Sequence, residues 1–490
     1  MLTRRQLTRI VTGCVALFGS IALTGLLSPV GAVHDEFFHA SSIWCAQGER
    51  SPYCEKITPS DEVGAFALTN IDSRVCQTAP DRPLVCPTER TGTMSLFTNA
   101  GLYPGAFYRT MSNLVFPSVE VSVILIRWVN ALVVIGLIAA ALMLLPRRHR
   151  TALVLTMLGI FNPFPLYLFG SLNPSSWLII GVVVGWLCCD AAVSREDLSR
   201  RMRWALMALS VIAWLLAIGS RWDAVPYIAF TVALTAVHAV WVRFGTRALP
   251  VAFASTTAAG AAVIAIDWLT PFSAWGQVRQ LFVYSSGQPD NTAFVTHYLL
   301  HGIPKALDAF GEVPTMTGIF LPRLVYVANA ALLGGILLAS RARRSVMQVL
   351  GVLVTWVAVS AVLMAHHSGM DDRDPFGPST RYVLPLTAFA VAWWCVHAPT
   401  DVHQRLSSYV RFMRVAIVGS FALSAWTIAE RFVDAQTFGL RYLPEGPDQW
   451  WWDGAPVGPN VVVFAASLFM FIAVWQLTTL FTDQTEELTA

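Results

Sequence analysis

Apolar runs of about twenty residues, long enough for a helix to cross a bilayer, recur along most of the chain. They fall at 10–30, 119–145, 151–170, 175–192, 204–220, 224–242, 249–270, 318–340, 346–365, 380–398, 413–432 and 461–482. The pattern predicts an all-α polytopic membrane protein of about twelve transmembrane helices, with residues 1–490 forming one integral membrane domain.

The polar punctuation between these runs orients them. Segments before or between alternate runs hold Arg4, Arg5 and Arg9, then Arg147, Arg148 and Arg150, then Arg195, Arg200, Arg201 and Arg203. Arg243 and Arg247, Arg341, Arg343 and Arg344, and Arg405, Arg411 and Arg414 continue the series. Short loops rich in Arg and Lys stay in the cytoplasm, so both termini are expected inside. The opposite side receives four long irregular segments. These are a large outer loop at 31–118 between spans one and two, 271–317 with interfacial helices, 366–379, and the aromatic-rich 433–460. Binding chemistry concentrates on loops carried by a rigid scaffold, so the working face is expected outside, at a bacterial plasma membrane.

Composition closes off the other classes. Only 13% of residues are charged and 55% are hydrophobic, against about 25% charged in a soluble domain. Soluble, disordered, collagen-like and coiled-coil readings all fail on this count. A net charge of +3 is too small to imply nucleic acid. The first run follows Arg4 and Arg5 and precedes Val30-Gly31-Ala32, a small-residue sequence that would suit cleavage. From Val11 to Ser28 it exceeds a usual signal core, so it reads as an uncleaved anchor. Cys14, Cys188, Cys189 and Cys395 lie in spans, whereas Cys45, Cys54, Cys76 and Cys86 share the first outer loop. Four cysteines in an oxidising compartment predict two disulfides stapling that loop, with three pairings open. The chain lacks a phosphate loop, a nucleophile elbow and a zincin motif, and shows no internal repeat of the transporter kind.

Candidate chemistry sits where ionisable residues meet the membrane, since such residues are expensive to place there. Just outside the first run the chain reads His34-Asp35-Glu36-Phe37-Phe38-His39. A carboxylate here could take a proton from an attacking hydroxyl, and His39, four residues after Asp35, would share its helical face. Arg381 and Arg221, at outer span ends, could hold a phosphate, as clustered guanidinium groups do; snorkelling from a helix end is the plainer reading. Arg127 lies about two turns inside the second span, seven residues after Glu120, and reads first as half of an internal ion pair or as a partner for Asp35. Trp450, Trp451 and Trp452 suit either sugar stacking or the membrane interface. Metal binding by His297 with His301, or by Asp371, Asp372 and Asp374, is weaker than an interfacial helix and a solvated acidic loop. The stretch 274–284 reads as an amphipathic surface helix.

An Asp-Glu pair opening the first outer loop resembles the C-type (GT-C) glycosyltransferases, polytopic enzymes that take a sugar from a polyprenyl-phosphate carrier at the outer membrane face. More narrowly, Asp35-Glu36-Phe37-Phe38-His39, Ser171-Leu172-Asn173-Pro174 and Arg381-Tyr382-Val383-Leu384-Pro385 resemble, in that order, three motifs of a bacterial membrane family. That family is domain-of-unknown-function family 2142. The resemblance implies Asp35 as general base with Glu36 as the alternative, His39 beside them, and inversion at the anomeric carbon. It also implies substrate-binding roles for Arg381, Arg221, Arg127, Asn173, Tyr382 and Trp451. Family members often carry an acid after the Asn-Pro. This chain has Ser175 and Ser176 there, which removes a second carboxylate for a divalent metal. No cofactor is called for with certainty, although such a metal is compatible with the motifs. The expected partners are a polyprenyl-phosphate-linked sugar, membrane lipid, and a glycan or lipid acceptor in the cell envelope. A transporter or flippase of lipid-linked saccharides is the competing function, and a non-catalytic envelope scaffold the third.

Overall fold

The computed structural model describes residues 2–28, 33, 36–47, 103–160, 163–195, 197–244, 321–341, 346–368, 380–399, 402–432 and 456–489, together with four short strands by their backbone. The helices are α1 (Arg4–Leu27), α2 (Glu36–Trp44), α3 (Gly105–Ser112), α4 (Val119–Leu144), α5 (Arg147–Ile160), α6 (Pro163–Phe169) and α7 (Ser175–Ser194). They continue with α8 (Arg200–Ser220), α9 (Ala224–Phe244), α10 (Arg323–Ala339), α11 (Val346–Ser368), α12 (Leu384–Val396), α13 (Val402–Phe432) and α14 (Pro459–Thr489). A 3₁₀ turn, Thr380–Tyr382, leads into α12.

The local signals that start these helices are ordinary ones. Thr3 and Gln6 form a capping box at α1, and the Ser118 and Ser199 hydroxyls accept from Val121 N and Met202 N at α4 and α8. Each satisfies one of the backbone N–H groups that the first helical turn leaves unpaired. Pro163, which cannot continue an existing helix, begins α6.

Among the described residues, seven helices are long and apolar enough to cross a membrane. They coincide with seven of the twelve expected spans. The 151–170 run is instead the bent pair α5 and α6, turned by 102°. The runs at 318–340, 346–365 and 380–398 appear as shorter apolar helices, and 249–270 lies outside the described residues. The all-α expectation needs one correction. Two antiparallel hairpin pairs, β1 (Cys54–Lys56) with β2 (Phe66–Leu68) and β3 (Gln77–Ala79) with β4 (Arg82–Val85), lie in the first long loop. A polar loop outside the bundle can pair its backbone as strands as readily as in a helix. The described free cysteines are the span residues Cys14, Cys188, Cys189 and Cys395. Cys45 is buried and is not among them; the side chains of Cys54, Cys76 and Cys86 lie outside the described residues.

Neighbouring helices run antiparallel, and this gathers the arginines of alternate connections at one end. Arg9 donates to Thr479 O, Arg148 to Ala398 O, and Arg405 to Arg341 O, which ties the start of α1 to α14, α5 to the end of α12, and α13 to the end of α10. Glycine permits a close crossing between α7 and α8. A Cβ on Gly181 would lie 2.5 Å from Ala213 O and 2.8 Å from Ala217 Cβ. Gly181→Ala should therefore push two backbones apart and destabilise the protein by about 1–3 kcal/mol. Gly136→Ala, where a Cβ meets nothing within 4 Å, should be neutral or slightly stabilising. Thermal unfolding of the two variants against the native chain checks the contrast.

Candidate functional site

The end of the bundle opposite the arginines carries two linked polar clusters. The first is built on Arg127, which α4 presents from within its apolar length, 1% exposed. Its guanidinium grips the fully buried Glu36 carboxylate in two parallel bonds, Nε to Oε1 at 2.9 Å and Nη2 to Oε2 at 2.5 Å. Nη1 donates to Gly25 O and Ser28 O, both at 2.6 Å, so it also closes the end of α1. Glu36 Oε1 accepts a third bond from Leu172 N at 3.1 Å. One turn along α4 from Arg127, Asn130 Nδ2 donates to Ser171 O, and Ser176 Oγ donates to Asn130 Oδ1. The chain end of α1, the start of α2, α4 and the 171–176 segment are thereby locked together.

These bonds place several expected residues. Both carboxylate oxygens of Glu36, the alternative base, are engaged by fixed donors in a buried position. Arg127 forms an ion pair with Glu36, and Glu120 accepts from its own N-cap serine, Ser118. Asn173 Oδ1 accepts from Ser175 N at 2.9 Å, so its side chain caps the loop that starts α7. Asp35 and Trp451 lie outside the described residues, as do His297, His301 and the 371–374 acids.

The second cluster is cationic and aromatic. Arg221, 4% exposed at the end of α8, is bound in two places by Asp223: Nε to Oδ1 at 2.9 Å and Nη2 to Oδ2 at 2.7 Å. Its Nη1 reaches Ser175 Oγ at 3.3 Å and Tyr103 Oη at 3.4 Å. Its guanidinium carbon lies 5.2 Å from the Tyr103 ring centroid and 5.1 Å from that of Tyr382, within cation–π range. Burial alone would lower the Arg221 pKa, but Asp223 and the two tyrosine hydroxyls outweigh it and raise it. Arg381, 5% exposed, donates from Nη2 to Tyr382 Oη at 2.7 Å. Tyr227 Oη, on α9, donates to Tyr382 O at 2.7 Å and fixes the 3₁₀ turn. His39 meets Tyr108 Oη through Nδ1 at 2.9 Å, with its ring 5.5 Å from Tyr103 in an edge-on arrangement.

All three sequence motifs therefore meet here. The acidic motif supplies Glu36 and His39, the Asn-Pro motif supplies the loop between the two clusters, and the Arg-Tyr motif supplies Arg381 and Tyr382. Five members had not been assigned a role from sequence: Tyr103, Tyr108, Asn130, Asp223 and Tyr227. Asn130 was detectable as a polar residue three after Arg127 in an apolar helix, and Asp223 by its place two after Arg221. The tyrosines had no such signal, since aromatic residues are common near any membrane interface. Among the described residues, no group of three or more His, Cys, Asp or Glu side chains is arranged to hold a metal ion.

Residues 18–390 match the model of a family described as "Predicted membrane protein (DUF2142)". No curated protein matches the chain by sequence. A crystal structure of ArnT from Cupriavidus metallidurans in the apo state is similar with a TM-score of 0.39 and 12% identity, covering 96% of this chain and 78% of that one. Likeness at this level assigns neither an activity nor a substrate.

Proposed function

The chain belongs to the DUF2142 family of membrane proteins, and we propose that it is a GT-C glycosyltransferase acting at the membrane face opposite its arginine-rich end. In this reading the donor is a polyprenyl-phosphate sugar and the acceptor a cell-envelope glycan or lipid. The observation that carries it is the pair of buried arginines, Arg221 and Arg381, gathered on Tyr382 and bordered by Tyr103 and His39. Cations beside stacked rings suit a ligand made of a phosphate and a sugar.

The two arginines divide the work. Arg221, held by Asp223, orders the tyrosine walls, and Arg381, stacked on Tyr382, binds the donor phosphate. Asp35 takes the proton of the acceptor hydroxyl. The acceptor oxygen bonds to the anomeric carbon from the face opposite the phosphate, the carbon–oxygen bond to phosphate breaks, and polyprenyl phosphate leaves with the electron pair. The configuration inverts. Glu36 and Arg127 hold the chain on either side of Asp35 in place. The twelve-span topology, the cytoplasmic termini and two disulfides among Cys45, Cys54, Cys76 and Cys86 belong to the same proposal.

The purified chain in nanodiscs, given polyprenyl-phosphate sugars and candidate acceptors, should release polyprenyl phosphate. Arg381→Gln should weaken donor binding about 10- to 100-fold, the loss expected for charge-assisted hydrogen bonds. Native protein that neither binds nor consumes any such donor would dispose of the reading. The buried contact of His149 with Asp190, near the start of α5 and the end of α7, suits the competing transporter reading, which movement of donor lipid between leaflets without sugar transfer would support.

A further inference from the structure

Two pairs of ionisable side chains, from four helices, lie within electrostatic reach of each other near the arginine-rich end, far from the site above. His149 on α5 contacts Asp190 on α7, Nε2 to Oδ2 at 2.8 Å, with both residues almost fully buried. His238 on α9 faces His397, the residue that ends α12, Nε2 to Nε2 at 3.0 Å. The Trp393 ring packs against both of these imidazoles. His149 Nδ1, Asp190 Oδ1 and His238 Nδ1 are buried, with no hydrogen-bond partner among the described residues.

The bonding pattern assigns the protons. His397 Nδ1 lies 2.9 Å from Trp393 O, and a carbonyl can only accept, so Nδ1 carries hydrogen. In a neutral ring, Nε2 is then an acceptor, and His238 must donate to it from its own Nε2. That leaves His238 Nδ1 as a bare, buried acceptor. One added proton can go there, where it keeps the bond to His397 and feels the attraction of the Asp190 carboxylate. A second would set two N–H groups against each other at 3.0 Å, so the rings would have to part.

We propose that His238, His397, Asp190 and His149 form a proton-binding site that joins α9 to α12 at neutral pH and releases them from each other in acid. The charged surroundings are set by all the elements that pack here. Asp190 attracts a proton onto the pair, whereas Arg148 of α5 repels it. Arg195, just beyond α7, adds to the positive field at Arg148, and Cys189 stands beside Asp190. Helix α8 contributes the exposed Arg200, Arg201 and Arg203 at the same end, and α10 and α11 bring no acid or base over their described turns there.

Separation at this end has a path to the other. Helices α9 and α12 also touch through Phe230 and Phe389, and Tyr227 on α9 holds Tyr382 at the start of α12. Tyr227 lies eleven residues, or about 16 Å of helix, from His238. The proposal does not depend on which reaction the distant site performs.

The test is thermal unfolding of the full-length chain in lipid nanodiscs at pH 7.5 and 5.0. The native midpoint should fall on acidification by about 3 °C or more, and His238→Gln, which can still donate to His397 but cannot be protonated, should remove most of that fall. His397→Gln serves if the first variant does not fold. Nitrogen-15 NMR of the native histidines at pH 7.5 should show His397 protonated at Nδ1 and His238 at Nε2. The proposal is overturned by an unchanged native midpoint, by an undiminished fall in the folded variants, or by two histidines that titrate independently.

Discussion

Arg127→Met should destabilise the protein by about 3–5 kcal/mol, the cost of leaving a buried charge without its partner. Glu36 is fully buried, and without Arg127 its carboxylate would keep the Leu172 N–H among the donors described above. Gly25 O and Ser28 O would lose a shared donor in the same stroke, which loosens the end of α1. Combining Arg127→Met with Glu36→Gln should recover much of the loss, because an apolar side chain beside a neutral amide no longer strands a charge. Denaturant unfolding or thermal melting of both single variants and the double variant measures the coupling between the two residues. Additive effects in that cycle would mean that the pair is not the anchor of this end of the bundle.

Asp35→Asn should reduce sugar transfer by about 10²- to 10⁴-fold, the usual contribution of a general base, while leaving expression and the unfolding midpoint near native. The contrast with Glu36 gives the prediction its force. Neighbours in sequence, the two acids should fail differently: Glu36 variants lose stability first, whereas Asp35→Asn loses turnover in a folded protein. Steady-state transfer rates, measured beside the melting curves, separate these outcomes. Full transfer by Asp35→Asn would remove Asp35 from the role of base.

Much of the architecture was readable along the chain because membrane insertion is a local property. A run of apolar residues is favourable in lipid wherever it lies in the sequence, so seven of the expected spans appear as helices of the right length. The same locality failed at 151–170, where Pro163 follows α5 closely and the run becomes a bent pair of helices instead of one. In the 54–85 segment, strand pairing went unforeseen because strands of three or four residues carry little pattern.

The candidate site was only half readable, and the division follows sequence separation. Sequence alone determined the class of molecule, the gathering of arginines on alternate connections, and the three motifs from which the site is built. The Asp223 partner of Arg221 stood two residues away but was not assigned from sequence. Tertiary structure decided that Glu36, not Glu120, pairs with Arg127 across 91 positions, and that Tyr103 lies beside an arginine 118 positions later. It likewise joined His238 to His397 across 159 positions. The physical reason is that hydropathy sums over a single helix, whereas a buried charge is satisfied by whichever helix packs against it.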